Sequence, residues 1–428
     1  MAYPIRRWPV VVIFFSFMLL HQMDKLLIGP LTTPIMETFR INEAQMGAVF
    51  SGALLVGGLL YPVWGYLYDR FARPKLLALA AFIWGSTTWL SALAPNYSTF
   101  LVTRASTGID DSSYPGLHSL ISDYFEPGIR GKIYGLLQLA APLGYLLGMV
   151  LAFSLRDVIG WRGVYYITGA MGIILALAIY RWVIEVPRGR AEPEMAGLEQ
   201  ISVYKFDPKL ARGLFRKKSL VLLYLQGFFG VWPWQVITYW FFRYLETERK
   251  YSADVIMITM LVAVLVLASG YFIGGAIGDF LFRRTRRGRI IVCTAGVFLG
   301  LIFLVLTMKT PPENYGTFMV FLILTALFIP FAAPNTLSTV YDVTEPEVRS
   351  TAVAISNFIE QGGTAVAPFL AGLIATVSSL GDAILIICTA GWLVCGTIFP
   401  LVGWLLPRDM DALRQLMRQR AEMEMARG

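Results

Sequence analysis

The sequence predicts an all-α membrane protein, with twelve transmembrane helices in two pseudo-symmetric six-helix bundles. Three observations support this fold class. The 428-residue chain is 56% hydrophobic and only 15% charged, whereas a soluble protein carries about 25% charged residues. Twelve apolar segments have the length of about 20 residues that a helix needs to cross a bilayer. Two polar motifs each occur once in either half, which indicates that the halves are related.

The twelve predicted segments follow one another along the whole chain. They span 8–34, 45–68, 75–95, 98–125, 131–155, 163–184, 219–243, 254–281, 289–308, 316–341, 350–377 and 382–406. The first segment begins like a signal peptide, but it is too long and has no small-residue cleavage site, so we interpret it as a retained helix.

A charged stretch with three prolines separates the sixth segment from the seventh. The predicted organisation is therefore an N-terminal bundle over 1–186, a cytoplasmic linker over 187–217, a C-terminal bundle over 218–407 and a tail over 408–428. The tail alternates charged residues with Leu and Met at helical spacing, which predicts an amphipathic helix on the cytoplasmic surface.

The charge distribution predicts the orientation. The formal net charge is +8, and the basic residues cluster in alternate loops. We interpret this excess as topological rather than as a nucleic-acid site, and it predicts a multi-pass protein of the cytoplasmic membrane with both termini inside. The three cysteines lie in apolar segments without metal-ligand spacing, so we expect no metal and no disulfide framework. We expect a monomer without a cofactor.

Two cytoplasmic motifs are repeated. Gly65, Asp69 and Arg73 form a Gly-x-x-x-Asp-x-x-x-Arg pattern in a basic hairpin, and Gly275-x-x-x-Asp279-x-x-x-Arg283 repeats it. An Asp-x-x-Glu-Pro-x-x-Arg pattern ends both segment four and segment ten. Contacts between such acids and arginines can hold one side of a transporter closed in one state; plain solvation of a charged loop is the alternative, and we prefer it for the neighbouring Arg70 and Lys75. The predicted gating residues are Asp69, Arg73, Asp279, Arg283, Glu126, Arg130, Glu345 and Arg349.

Ionisable residues within the apolar segments indicate function, because they are costly in a membrane. His21, Asp24 and Lys25 share one face of segment one. Burial in a dry cavity disfavours the charged form of a carboxyl group, so Asp24 is a candidate proton carrier; a structural ion pair with Lys25 is the alternative. His21 is expected to line the cavity or to bond a backbone carbonyl.

Segments four, seven, ten and eleven add further polar faces. Arg104, Asp111 and His118 recur at helical spacing on segment four, while Asp110 points about 100° away from Asp111. Glu360 shares a helix face with other hydrogen-bonding side chains of segment eleven. The predicted proton-coupling residues are Asp24, Asp111 and Glu360. The predicted substrate-binding residues are Lys25, Arg104, Tyr114, His118, Gln235, Tyr239, Asn335, Asn357 and Gln361.

These motifs resemble those of the major facilitator superfamily, whose loop between helices two and three has a glycine, an acid four residues on, and basic residues. The Met-Asp-Lys of segment one looks like the Asn-Tyr-Met-Asp-Arg of Spinster-like transporters. The stretch Arg104-Ala-Ser-Thr-Gly-Ile-Asp-Asp111-Ser-Ser-Tyr114 looks like their Arg-x-x-x-Gly-Ile-Gly-Glu-Ala-Ser-Tyr. The resemblance implies a major facilitator fold with alternating access, a proton gradient as driving force, and a lysolipid-like substrate.

Other functions stay open at this point. A sugar acid or another small organic anion suits the cationic side chains, and drug efflux suits the fold. A receptor without transport activity is a more remote alternative. An intramembrane aspartyl protease is disfavoured, because the Tyr341-Asp342 and Gly278-Asp279 pairs occur in the wrong order and lack the second glycine. The chain has no phosphate-binding Gly-x-x-x-x-Gly-Lys loop, so the sequence predicts a transporter rather than an enzyme.

Overall fold

A computed structural model describes residues 7–111, 113–125, 133–134, 136–186, 213–344 and 349–425. Side chains are described throughout these ranges except at Asp69, Pro115, 349–351, 416–418 and 420–425. Within this part of the chain every regular element is helical. The chain divides into two compact units, Met1–Tyr204 with Thr238–Arg243, and Lys205–Ile237 with Tyr244–Gly428.

The helices of the first unit are joined by short turns. They are α1 (Arg7–Leu27), α2 (Thr32–Phe39), α3 (Glu43–Arg70), α4 (Arg73–Leu93), α5 (Tyr97–Ser106), α6 (Tyr114–Tyr124) and α7 (Ala140–Trp182). A 3-10 turn, Thr107–Ile109, lies between α5 and α6.

The second unit begins on α8 (Lys218–Thr247), of which the short stretch Thr238–Arg243 belongs to the first unit. Its other helices are α9 (Ala253–Phe282), α10 (Gly288–Lys309), α11 (Tyr315–Phe328), α12 (Ala332–Asp342), α13 (Arg349–Val377) and α14 (Leu380–Met425). A 3-10 turn, Ile329–Phe331, connects α11 with α12.

Helix length is consistent with twelve membrane spans. Within the described ranges, 10 helical stretches are long and apolar enough to cross a membrane. One of them, Leu136–Trp182, has 47 residues, about 70 Å of helix and enough to cross twice. It bends at Gly160, whose φ of 70° is outside the helical region and favours glycine. The α5–turn–α6 stretch supplies the remaining predicted segment.

Several predicted boundaries differ from the structure for local reasons. Segment one divides at Gly29-Pro30 into α1 and α2, since a residue that precedes proline disfavours the helical region. The hairpin around Asp69 is almost entirely helical, because only Phe71 and Ala72 separate α3 from α4. The predicted tail helix is not a separate element, since α14 continues from Leu380 to Met425.

Local sequence signals explain where α3 and α5 begin. The Asn42 side chain accepts a hydrogen bond from the Gln45 backbone at 2.9 Å, and the Gln45 side chain accepts one from the Asn42 backbone at 3.0 Å. This capping box satisfies two backbone donors that would otherwise lack partners. Asn96 caps α5 in the same way through the Thr99 backbone amide at 2.9 Å.

Apolar packing in the first unit surrounds its polar side chains. Phe17, Trp84 and Leu117 belong to one hydrophobic cluster that joins α1, α4 and α6. All three are almost completely buried, and each such side chain contributes about 1.5–3 kcal/mol of burial free energy. The charged side chains beside this cluster are therefore held by a rigid apolar frame.

Candidate functional site

Asp24 is held inside the first unit by two hydroxyl groups. Its carboxylate is 2% exposed. Thr88 on α4 donates a hydrogen bond to one carboxylate oxygen at 3.0 Å, and Thr168 on α7 donates to the other at 2.5 Å. A threonine hydroxyl can both donate and accept, so the same two partners suit an ionised and a protonated Asp24.

Lys25 and Asp111 form an ion pair beside Asp24. The Lys25 ammonium lies 2.9 Å from Oδ2 of Asp111. The sequence prediction assigned Lys25 to the substrate and Asp111 to proton coupling, as separate groups. The structure brings them together, so the charge of Lys25 is balanced while Asp111 is ionised.

Arg104 is a buried cation whose hydrogen-bonding capacity is not used up. It is 4% exposed and lies over the Tyr165 ring, 5.1 Å from its centroid. Its Nε and Nη1 atoms have no hydrogen-bond partner within the described part of the chain. A buried guanidinium with free donors is suited to bind an anionic group.

These groups line one small cavity of about 20 Å3, which we call the charged cavity. This is room for a single water molecule. Tyr239 closes part of the wall and stacks on Phe50 at a ring separation of 4.7 Å. The polar lining consists of His21, Asp24, Lys25, Arg104, Thr107, Asp111 and Tyr239.

Tyr114 and His118 on α6 do not line the charged cavity. The Tyr114 hydroxyl hydrogen-bonds instead to Nδ1 of His21 at 2.5 Å. The backbone carbonyl of His118 accepts a hydrogen bond from the Tyr134 hydroxyl at 2.9 Å, and the two rings pack edge to face. The structure therefore places Tyr114 behind the predicted site and His118 away from it.

The second unit contains a larger cavity of about 400 Å3, which we call the aromatic cavity. Trp234, Tyr271 and Trp392 contribute aromatic surface, and Leu267, Val297, Leu337 and other aliphatic side chains complete a mostly apolar wall. Glu360 on α13 is the one charged residue among the described residues that line it. Its Oε1 atom accepts a hydrogen bond from Ser356 at 3.0 Å.

The other predicted residues of the second half divide by position. Asn357 lines the aromatic cavity beside Glu360. Gln361 is exposed, and Gln235 is half-buried; neither lines either cavity. Asn335 is fully buried and donates to the backbone carbonyls of Gly274 at 2.9 Å and Phe331 at 2.8 Å, so it joins α12 to α9.

Arg73 organises the polar end of the first unit. It is 1% exposed, and its guanidinium donates to Asp123, to Ser119 at 2.9 Å and to the Val186 carbonyl at 2.8 Å. Glu185 receives two further bonds from the guanidinium and one at 2.6 Å from the Arg73 backbone. Every donor of the guanidinium therefore has a partner, as burial of such a group requires.

In the second unit the equivalent arginine is Arg289 rather than the predicted Arg283. Arg289 begins α10, as Arg73 begins α4, and it binds Asp279 at 2.8 Å and also Asp342. Asp342 repeats Asp123 in the second sequence motif. Arg283 is exposed at the end of α9. The repeated motif thus aligns in sequence, but a longer connection moves the arginine that does the binding.

Several predicted gating positions lie outside the described residues. These are Glu126, Arg130 and Glu345, together with the side chains of Asp69 and Arg349. Their predicted gating role stays a prediction. Within the described ranges there is also no group of three or more His, Cys, Asp or Glu residues placed to hold a metal ion.

The sequence profile of the Major Facilitator Superfamily matches residues 13–312 and 267–422. The chain belongs to this superfamily. A solved structure supports the fold: the crystal structure of a bacterial homolog of the human lysosomal transporter Spinster, inward-facing and unoccupied, superimposes with a TM-score of 0.82. The two chains are 18% identical over 96% of this chain and 99% of that one.

Curated relatives of this superfamily member are transporters of two kinds. It is 25% identical over 397 residues to the probable L-galactonate transporter of Escherichia coli K12, covering 89% of this chain and 85% of that protein. It is 27% identical over 390 residues to Protein spinster of Drosophila melanogaster, covering 86% and 62%. It is 26% identical over 379 residues to the sphingosine-1-phosphate transporter SPNS2 of Danio rerio, covering 83% and 73%. The predicted fold class, major facilitator membership and Spinster-like branch are confirmed.

Sequence reasoning missed the position of Asp110 in this major facilitator protein. The 3-10 turn Thr107–Ile109 ends the regular helix, so the 100° spacing does not apply to the two acids that follow it. Asp110 lies 2.7 Å from Nε2 of His21, and Asp111 lies 2.9 Å from Lys25. The Gly-Ile-Asp-Asp stretch after Arg104 was the available signal, since a glycine within a helical pattern weakens the helix.

Proposed function

We propose that this major facilitator protein is a proton-coupled secondary transporter of an amphiphile that has an anionic head group, of the lysolipid kind. The aromatic cavity carries the proposal. Its volume of about 400 Å3 is within the range of ligand sites, and a mainly apolar wall with few polar groups suits an apolar ligand body. The Spinster and SPNS2 relatives are consistent with such a substrate.

The anionic head group is assigned to Arg104. Its guanidinium faces the charged cavity with two unused donor atoms, and charge-assisted hydrogen bonds to an anion contribute about 1.5–3 kcal/mol. Closed around about 20 Å3, the charged cavity must widen to admit a head group, as alternating access requires.

Proton coupling is assigned to Asp24 and Asp111. Protonation of Asp111 would remove the negative charge that now balances Lys25 at 2.9 Å. The ammonium of Lys25 would then be available to an anionic substrate, so that proton and anion are taken up together. Asp24 keeps its two hydroxyl partners in either protonation state.

Glu360 is assigned to the second unit as a coupling or binding residue, since its carboxylate faces the aromatic cavity. The protein would act at the cytoplasmic membrane with both termini in the cytoplasm, in keeping with the distribution of Lys and Arg. The proton gradient would drive transport, and the working unit would be a monomer.

A small organic anion is the second candidate substrate. The specific observations in its favour are the L-galactonate transporter relative, matched over 89% of this chain, and the unused donors of Arg104. The two candidates make different demands on the aromatic cavity, because a sugar acid gains little from an apolar wall.

Flux into liposomes that contain the purified protein separates the candidates. With an imposed pH gradient we expect uptake of a lysophospholipid and no saturable uptake of L-galactonate. Trp234→Ala, which removes aromatic wall, should lower lysophospholipid uptake several-fold. Trp182→Ala is the matched control, since Trp182 is exposed and lines neither cavity. Uptake of L-galactonate that Trp234→Ala does not change would favour the sugar acid, and absence of flux for both would overturn transport of either class.

A further inference from the structure

A buried histidine–aspartate pair lies behind the charged cavity. His21 on α1 is almost fully buried, and Asp110 is 0% exposed. Nε2 of His21 lies 2.7 Å from Oδ2 of Asp110, and Nδ1 lies 2.5 Å from the Tyr114 hydroxyl. Both nitrogens of the ring are therefore engaged, and they join α1 to the stretch after the 3-10 turn and to α6.

Aromatic side chains fix the orientation of the imidazole. Phe17 stacks on the ring at a centroid distance of 5.7 Å, and Trp84 packs against it edge-on at 5.4 Å. These contacts keep bulk water from Asp110. Within the described residues, His21 is the one basic side chain in ion-pair contact with Asp110.

The charge of the pair depends on how many protons it holds. With one proton the pair is neutral overall, either as an ion pair or as two neutral groups. Without it, Asp110 would be an unpaired buried charge, which costs several kcal/mol; with a second proton the pair is cationic. The other ionisable and polar groups around it are Asp111, Lys25 and Tyr114, with Tyr68 of α3 acting on Asp110, and Asp24 and Arg104 across the charged cavity.

His21 also reaches the cavity side. Its Nε2 atom lies 3.6 Å from Oδ1 of Asp111. This exceeds direct hydrogen-bond distance, but the charged cavity has room for a bridging water and His21 is part of its lining. The imidazole thus lies between a carboxyl group that lines the cavity and one that is sealed from it.

We propose that His21 and Asp110 form a second proton-exchange pair, which passes the transported proton between Asp111 and the buried interior of the first unit. This rests on the proposed function in one respect, the proton exchange at Asp111. In the forward step the Asp111 carboxylic acid gives its proton through the water to Nε2, leaving a carboxylate. The imidazolium so formed pairs with the Asp110 carboxylate, and the reverse step returns the proton.

Both members of the pair distinguish this chain from the motifs that segments one and four resemble. Asparagine stands in place of His21 in the first motif, and glycine stands in place of Asp110 in the second. The two differences meet in space at 2.7 Å, so they form one unit that the motifs themselves lack.

The protein contains two histidines, which makes the pair accessible to NMR. In a His118→Gln variant, purified through a histidine-free tag and labelled with 15N-histidine, the imidazole signals come from His21 alone. We expect these signals to report a change of protonation between pH 4 and 10. Asp110→Asn should move the midpoint by one pH unit or more. Absence of a protonation change in that range, or an unmoved midpoint, would overturn the proposal.

The pH profile of lysophospholipid flux is the second readout. His21→Asn should shift the profile, which loss of a merely structural contact would not do. If single variants fail to fold, the double variant His21→Asn/Asp110→Asn removes both charges together, and an unchanged profile there would contradict the pair's role. The NMR result stands even if no flux is found, so failure of the proposed function is distinguishable from failure of this inference.

Discussion

The two halves of the chain carry the same two sequence motifs, yet they bury their charges to different extents. In the first unit Arg73 is 1% exposed and holds two acids and a backbone carbonyl. In the second unit the Arg289 side chain is 15% exposed, and its partners Asp279 and Asp342 are 60% and 22% exposed. The first arrangement is sealed, whereas the second is open to water and to salt.

The interiors differ in the same direction. The first unit gathers five ionisable side chains around a charged cavity of about 20 Å3. The second unit has an aromatic cavity of about 400 Å3 with one carboxylate in its described lining. The difference teaches that duplication preserved the helices while the two halves took different tasks: in our account the first binds the proton and the anionic group, and the second the apolar body.

The largest effect should come from Arg73→Ala. Removing one member of a buried ion pair leaves the other buried and unpaired, which costs about 3–5 kcal/mol. We expect the apparent Tm of the detergent-purified protein to fall by about 10 °C. Arg283→Ala, at an exposed arginine, is the control and should leave the Tm unchanged. Equal melting of the two variants would remove the contrast between the sealed and open arginines.

The next effect concerns substrate affinity. Arg104→Lys keeps the charge but loses the planar set of donors, so it should weaken binding of a lysophosphatidic acid by about 10- to 100-fold. Binding of the neutral monoacylglycerol with the same chain should change little. Arg162→Lys is a matched control, because Arg162 donates to the carbonyls of Ala92 and Ala94 instead. Tryptophan fluorescence titration measures both ligands, and an equal loss for both would contradict an anion-binding Arg104.

The smallest effect is expected from Arg289→Ala. Partly exposed ion pairs contribute about 0–1 kcal/mol, so the apparent Tm should fall by only about 2–4 °C. The difference from the wild type should shrink further in 0.5 M NaCl, because salt screens exposed charges. A fall as large as that of Arg73→Ala would show that the two arginine sites are energetically alike.

The sequence was sufficient to predict the helices and much of the charged cavity. Asp24, Lys25, Arg104 and Asp111 were singled out because ionisable side chains are rare in membrane helices, and all four line one cavity. Regular helical spacing relates the first two to one another, and their partners Thr88 and Thr168 became visible only in three dimensions.

The misses have local physical causes. Asp110 was misplaced because a 3-10 turn interrupts the helix before it. Arg289 was missed because it lies ten residues after Asp279, while Arg73 follows Asp69 by four. Gln361 was assigned to the cavity, but the face that lines it runs through Val353, Asn357 and Glu360. Sequence periodicity defines a polar stripe, and packing decides which edge of that stripe faces inward.

The most direct test of the central claim is uptake of a lysophospholipid into proteoliposomes, measured for the wild type and for Asp24→Asn with and without a pH gradient. The account predicts that the gradient drives accumulation by the wild type. It predicts that Asp24→Asn still exchanges substrate across the membrane but no longer accumulates it in response to the gradient. Accumulation by Asp24→Asn with an unchanged dependence on pH would contradict proton coupling at Asp24.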